Sequence, residues 1–292
     1  MDQSARPFLR DPRVYQISAL TALLLYGVSA LDFEIGAAQA AVTLACALGV
    51  QWLCTVALAG KFEARSALIS GLSLCLLLRT NSLWLAAAAP AVAVGSKFLV
   101  RWNGKHLFNP TNLALVVLLA CADGCAWVSP GQWGSVAFFA FALVCAGGLV
   151  VTRAGRADVA LAFLVFYLGL VFGRSAYLGE PVGIPVHRLQ SGTLLLFAFF
   201  MISDPRTTPD SRAGRLLFAA LVAFGGWYVQ FRLFRTNGLL WSLAACSLLV
   251  PLLDRLLPAA RFRWSPVSQP LPEPAHENYL PYRPGLPPGT EH

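Results

Sequence analysis

Residues 36–59 read GAAQAAVTLACALGVQWLCTVALA, a run of small and apolar residues without one Asp, Glu, Lys or Arg. A bilayer core about 30 Å thick is crossed by a helix of roughly 20 such residues. Helices and closed barrels are the only structures that satisfy the backbone there. Working outward, nine further apolar stretches follow the same rule, at 14–31, 66–78, 82–100, 110–121, 133–151, 157–173, 190–202, 213–230 and 238–257. Barrel strands would alternate apolar and polar side chains, whereas Leu23-Leu24-Leu25 and Phe138-Phe139-Ala140-Phe141 are apolar on every face. Composition agrees: 57% of the residues are hydrophobic, 12% are charged and the mean hydropathy is +0.63. A soluble domain carries about 25% charged residues. The expectation is an all-α integral membrane protein with about ten transmembrane helices.

The cations give that array a direction. With the N-terminus in the cytoplasm, only Arg79, Arg174, Arg188, Arg232 and Arg235 of the 22 Lys and Arg residues fall on the outer side. The positive-inside rule therefore places both termini in the cytoplasm of a bacterial-type inner membrane. Topology accounts for the net charge of +8 without a nucleic-acid partner, and basic loops also favour anionic lipids. The first 13 residues are polar and show no cleavage site before the first span, so that span is expected to be retained. Three regions result: a cytoplasmic segment 1–13, a transmembrane domain 14–260 and a Pro-rich disordered tail 261–292. Tyr279 and Tyr282 in that tail mark a partner site or a plain flexible terminus.

Spans 66–78, 110–121 and 190–202 are short, since thirteen residues rise only about 20 Å. Short spans at matching places in two halves point to inverted repeats whose broken helices meet near the midplane. Here Ser70-Gly71 in the third span answers Ser191-Gly192 in the eighth, and Thr111-Asn112-Leu113 answers Thr236-Asn237-Gly238. Five helices per half would place the halves in opposite orientations, with helices 3, 5 and 8 short or broken.

Polar landmarks flank these spans. Asn109-Pro110 suits a helix start, with Asn as N-cap and Pro in the first turn. Its free N–H groups, beside Lys97, Arg101 and Lys105, suit an anionic headgroup or a cofactor phosphate; an ordinary cap with positive-inside charges is the plainer reading. Asp204, in Ser203-Asp204-Pro205-Arg206-Thr207-Thr208-Pro209, either pairs with Arg206 or caps a turn. Lys97 is the deepest cation, on an ion path or snorkelling to the surface. Other charges near the spans are Asp32, Glu34, Asp158 and Asp254.

The residues then resemble a known family. Ser66-Ala67-Leu68-Ile69-Ser70-Gly71-Leu72, Lys97 with Phe108-Asn109-Pro110, Leu189-Gln190-Ser191-Gly192-Thr193 with Ala198-Phe199-Phe200-Met201-Ile202-Ser203-Asp204-Pro205-Arg206-Thr207, and Val250-Pro251-Leu252-Leu253-Asp254 stand in order and spacing. They are similar to motifs of the RnfD/NqrB family, membrane subunits of ion-translocating, flavin-dependent electron-transfer complexes. Residues 14–260 are thus identified as an RnfD/NqrB-like domain. The resemblance implies a cofactor-binding set of Ser70, Gly71, Lys97, Asn109, Ser191, Gly192, Thr193, Asp204 and Thr207. It also implies partner subunits that supply reducing and metal centres.

One departure changes the cofactor expectation. The family carries FMN covalently on a threonine in the outer loop after helix five. Here that loop, Cys121 to Gln132, has no Thr and only Ser129 as a hydroxyl, so covalent FMN is not expected. Non-covalent FMN, riboflavin or a quinone would need apolar and aromatic surface, from Trp102, Phe108, Phe199 and Phe200, which also serve as core or interface anchors. His106, His187, His276 and His292 form no opposed pair within the membrane, so haem is not expected. Cysteine spacings rule against a metal cluster. Cys121 and Cys125 are a disulfide, a redox thiol pair or two small apolar residues. Three functions follow: an electron-transfer subunit, a transporter or channel on the same scaffold, or a scaffold subunit of a specialised biosynthetic or thiol-redox pathway.

Overall fold

The computed structural model describes residues 11–30, 33, 35–58, 60–129, 144, 147–152, 154–189 and 191–262. The segment 1–10, most of the stretch 133–151, Asp32, Glu34 and the tail from 263 lie outside the described residues. The described chain is mostly helical: α1 (Pro12–Ala30), α2 (Ala37–Ala57), α3 (Ala64–Leu77), α4 (Leu83–Leu99), α5 (Pro110–Cys121), α6 (Ala157–Leu178), α7 (Gly183–Leu189), α8 (Gly192–Leu196), α9 (Arg212–Phe231), α10 (Gly238–Ser247) and α11 (Val250–Leu256). Four short strands accompany them. β1 (Leu78–Thr80) pairs antiparallel with β4 (Ala126–Val128), and β2 (Arg101–Trp102) with β3 (Lys105–His106).

Three helices, α2, α6 and α9, are long and apolar enough to cross a membrane. The count becomes four if α10 and α11, bent by 50° at their junction, form one broken span. The break has a local cause. Pro251 stands in the first turn of α11 and has no N–H to continue the ladder from α10. The segments expected to be short are short helices, Ala64–Leu77, Pro110–Cys121 and Gly192–Met201, and α4 joins them. This is a multi-pass membrane architecture built of long and half-length helices.

Packing falls into two groups. α1 packs on α3, and α2 on α3 and α4, with α4 reaching α5; α9 packs on both α6 and α10. α5 and α10 join the groups. The α9–α10 contact depends on missing side chains: a Cβ on Gly238 would lie 2.6 Å from the Gly226 carbonyl oxygen. At the foot of α9, the Arg215 guanidinium grips Asp158 of α6, with Nη2 to Oδ2 at 2.5 Å and Nε to Oδ2 at 2.9 Å. Its Nη1 donates to the Asp210 carbonyl at 2.7 Å, tying the 203–211 loop to the same clamp. α6 ends on Gly179, whose φ of 66° gives the left-handed closure that an L side chain resists.

Candidate functional site

The cluster starts at the head of α5. Asn109 is its N-cap: the Oδ1 accepts the Asn112 N–H at 3.0 Å, and Pro110 occupies the first turn. The other end of the same amide is spent on the loop after α8. Asn109 Nδ2 donates to the Met201 carbonyl at 3.2 Å and to Asp204 Oδ2 at 3.4 Å. One buried side chain thus caps a helix and clasps a loop from the other packing group.

Asp204 uses its remaining oxygen to hold its own turn. Oδ1 accepts the Arg206 N–H at 3.0 Å, while the Asp204 carbonyl accepts from the Thr207 and Thr208 hydroxyls at 3.3 and 3.1 Å. Of the two readings of Asp204, turn capping is therefore what its bonds make. Burial pushes the carboxyl above the usual range, against the pull of Arg206, Lys97 and Arg156. The segment leading into this turn departs from the α pattern. Phe197–Met201 is π-helical, with Ile202 N–H bonded to the Phe197 carbonyl at 3.0 Å, a local widening often found at functional sites.

Cations surround this turn. Lys97 does not snorkel. It is 6% exposed, and its Nζ donates to the Ser66 carbonyl at 2.7 Å and to Ser66 Oγ at 3.0 Å. Arg101 donates back to the Lys97 carbonyl. Arg206 Nη1 lies 3.4 Å from His106 Nε2. His106 is held neutral, its pKa lowered to about 3 by burial and by Arg206, Arg101 and Lys97. Below them, Lys105 bridges Asp254 at 2.7 Å and Asp210 at 3.1 Å.

The nine expected site residues do not form one group. Lys97, Asn109, Asp204 and Thr207 gather at the head of α5. Ser191, Gly192 and Thr193 sit at the opposite end, about 18 Å away along the length of α5, where Thr193 Oγ1 donates to the Ser129 carbonyl at 2.8 Å. Ser191 and Thr193 line a cavity of about 650 Å³ there. Ser70 and Gly71 lie mid-way along α3 rather than at its opening. Ser70 donates to the Ser66 carbonyl, and a Cβ on Gly71 would lie 3.0 Å from Leu44, so this pair serves the α2–α3 contact. Phe199 and Phe200 are buried, while Trp102 is exposed beneath the Arg255 guanidinium at 5.8 Å. Cys121 and Cys125 are free and exposed, so packing as small apolar residues does not describe them.

Two groups escaped the sequence reading of the site. Asn112 is fully buried, donates Nδ2 to the Leu240 carbonyl at 3.1 Å, and finds no partner for Oδ1 among the described residues. His106 is buried, and its Nδ1 is likewise unpartnered among them. The signal for Asn112 was present in Asn109-Pro110-Thr111-Asn112, where one helical turn brings both amides to the same helix start. An orphaned acceptor and an orphaned imidazole nitrogen beside an amide and a carboxyl suit a ring with mixed donors and acceptors on one edge, as a flavin has. Among the described residues, no group of three His, Cys, Asp or Glu side chains could hold a metal ion.

A helical membrane protein with half-length helices and a polar cluster at a helix head is the class these features define. Residues 123–263 match the model of the NQR2, RnfD, RnfE family, and over that stretch the chain is an RnfD/NqrB-family sequence. The match contains the Ser191–Thr207 and Val250–Asp254 stretches; Ser66–Leu72 and Lys97–Pro110 precede it. Similar curated proteins all bear the name of one and the same component of an ion-translocating oxidoreductase complex. The one from Cronobacter sakazakii is 29% identical over 161 residues, covering 52% of this chain and 42% of its own length. That of Escherichia coli (strain K12 / DH10B) is 29% identical over 133 residues, or 45% and 35%. The Tolumonas auensis protein is 42% identical over 74 residues, or 25% and 21%. The matched region thus spans less than half the length of each relative.

Proposed function

We propose that this chain is an integral membrane subunit of an Rnf/Nqr-like electron-transport system of a bacterial inner membrane. In this reading all ten apolar stretches cross as two inverted halves, with both termini cytoplasmic, and the head of α5 lies on the cytoplasmic side. The relatives' shared name supports membership of a multi-component oxidoreductase, so partner subunits would deliver and accept the electrons. The site at the head of α5 holds a flavin or quinone without a covalent bond, and anionic lipids meet the basic loops.

The observation that carries the reading is the clasp of Asn109 on Asp204 and Met201, with the Asn112 Oδ1 left unpaired beside it. When bound, the cofactor supplies the redox chemistry. The chain's own residues orient it: Asn109 and Asn112 present amide groups to a polar ring edge, and Asp204 in its raised state is a proton donor within the same network. Lys97, Arg101 and Arg206 favour an added negative charge nearby. A second reading, a small-solute transporter, draws on the meeting of α5 and α10 at their first turns, since half-helix heads cradle solutes in such proteins.

An absorption spectrum of the gently purified protein, followed by denaturation, separates these readings. Flavin released on denaturation, and lost in Asn109→Ala with Asp204→Ala, is the expected result. Flavin retained on the polypeptide would contradict the non-covalent reading. A colourless protein, purified with its partners, would favour transport or scaffolding.

A further inference from the structure

The cavity at the Ser129 end is separate from the α5 head, and its chemistry is different. Its floor is apolar and aromatic, with Leu194, Phe197, Leu240 and Tyr167 buried. Its rim is cationic and amide-rich, from Arg188, Arg235, Thr236 and Asn237, and among the described residues no Asp or Glu lines it. Glu180, the acid in the neighbouring turn, is bound to Arg174 at 2.7 Å and to Ser175 at 2.8 Å. Arg188 is braced over the Phe231 ring at 4.9 Å, with Arg174 over the same ring at 4.6 Å.

Backbone donors add to the side chains. Asn237 takes the left-handed conformation, φ 59°, and starts α10, a helix of ten residues. The Asn237 carbonyl accepts the N–H groups of Leu240 and Trp241, so the helix's first N–H groups, on Gly238 and Leu239, precede its ladder. Both residues line the cavity. Gly238 cannot be larger, because α9 stands against it. The Tyr167 hydroxyl donates to Gln230 Oε1 at 2.9 Å, which leaves the amide NH2 as that side chain's donor end. Cations, amide donors and a helix head converge over an apolar floor, with no described carboxylate lining the cavity to balance them.

We propose that this cavity is a binding site for a phosphate-bearing ligand with an apolar or aromatic body. The phosphate meets Arg188, Arg235 and the head of α10, and the body rests on Tyr167, Phe197 and Leu194. The volume of about 650 Å³ is in the range of sites for small organic molecules and far beyond a bare phosphate ion. A soluble organic phosphate and an anionic phospholipid share this chemistry. The site is independent of the cofactor reading for the α5 head.

The test uses the full chain in phosphatidylcholine nanodiscs, titrated with FMN and with riboflavin, which differ by the phosphate. FMN should bind at least tenfold tighter. Arg188→Gln with Arg235→Gln should abolish that preference, Arg188→Lys with Arg235→Lys should keep most of it, and Asn109→Ala with Asp204→Ala should leave it intact. Competition by phosphatidylglycerol discs would identify a lipid as the source, and FMN binding indifferent to that lipid a soluble phosphate. Inorganic phosphate competing as well as FMN would overturn the role of the apolar floor. Equal binding of the two flavins, or an unchanged Gln variant, would overturn the anion site. So would an absence of FMN binding together with no enrichment of phosphatidylglycerol among co-purified lipids.

Discussion

Asn112 of α5 donates its side-chain amide to the backbone carbonyl of Leu240 in α10 at 3.1 Å. Each is the third residue of its helix, and each helix is started by an asparagine, Asn109 for α5 and Asn237 for α10. The two short helices therefore meet head to head, across the junction between the two packing groups. The positive ends of both helix dipoles lie close together there, which is a reason for uncharged amides rather than cations at the contact.

Replacing Asn112 with Ala removes this link and leaves the Leu240 carbonyl without its side-chain donor. Interhelical hydrogen bonds of this kind are worth about 1 kcal/mol in membrane proteins. Thermal unfolding in detergent should register a loss of about that size. An unchanged midpoint would show that the contact does not join the halves energetically.

Gly238→Ala tests the α9–α10 approach. The added methyl would sit 2.6 Å from the Gly226 carbonyl oxygen, a backbone atom that cannot swing away. Overpacking of this kind costs about 1–3 kcal/mol. Gly226→Ala should cost less, because the nearest obstacle, at 2.5 Å, is the Leu239 side-chain tip. Comparing the two melting temperatures checks the order.

Much of this arrangement was legible in the residues, for identifiable reasons. Asn109-Pro110 announced the α5 start because a cap and a proline act locally. The same holds for Ser191, which precedes α8 as its N-cap. The correspondence of halves was read one step out of register. Matching Thr111-Asn112 to Thr236-Asn237 aligns a residue inside α5 with the N-cap of α10, whereas the structure aligns Asn109 with Asn237. The β1–β4 pairing was hidden because its three-residue strands are far apart in sequence. The bend between α10 and α11 had its signal in Pro251. The division of the expected site into two ends was invisible, because hydropathy reveals that a helix is present but not which helix heads share a depth.

The pH response should carry the mark of His106. Its ordinary pKa of 6.5 falls to about 3 in the folded chain, so the unfolded state takes up a proton first. Stability should therefore decline as pH drops from about 6.5 towards 3, by up to about 1.4 kcal/mol per pH unit. His106→Gln should flatten that slope. Asp204 works in the opposite sense. With its carboxyl raised by burial, the folded state binds the proton more readily, and Asp204→Asn should steepen the loss on acidification. Unfolding midpoints of the three proteins across this range decide the signs.

Lys105 holds two carboxylates that belong to different elements. Its Nζ is 2.7 Å from Asp254 in α11 and 3.1 Å from Asp210 in the loop before α9, and the Asp210 N–H donates to Asp254 Oδ1 at 2.8 Å. The side chains of Lys105 and Asp210 are 10% and 8% exposed, that of Asp254 21%. That places the cluster between a solvated pair, worth at most about 1 kcal/mol, and a fully buried one whose rupture costs about 3–5 kcal/mol. Lys105→Met should destabilise by about 1–3 kcal/mol, because it leaves the two acids facing each other. Adding Asp210→Asn and Asp254→Asn to Lys105→Met should recover part of the loss by removing that repulsion. If the triple variant is no more stable than the single one, packing of the lysine stem rather than charge is what anchors α11 to the loop.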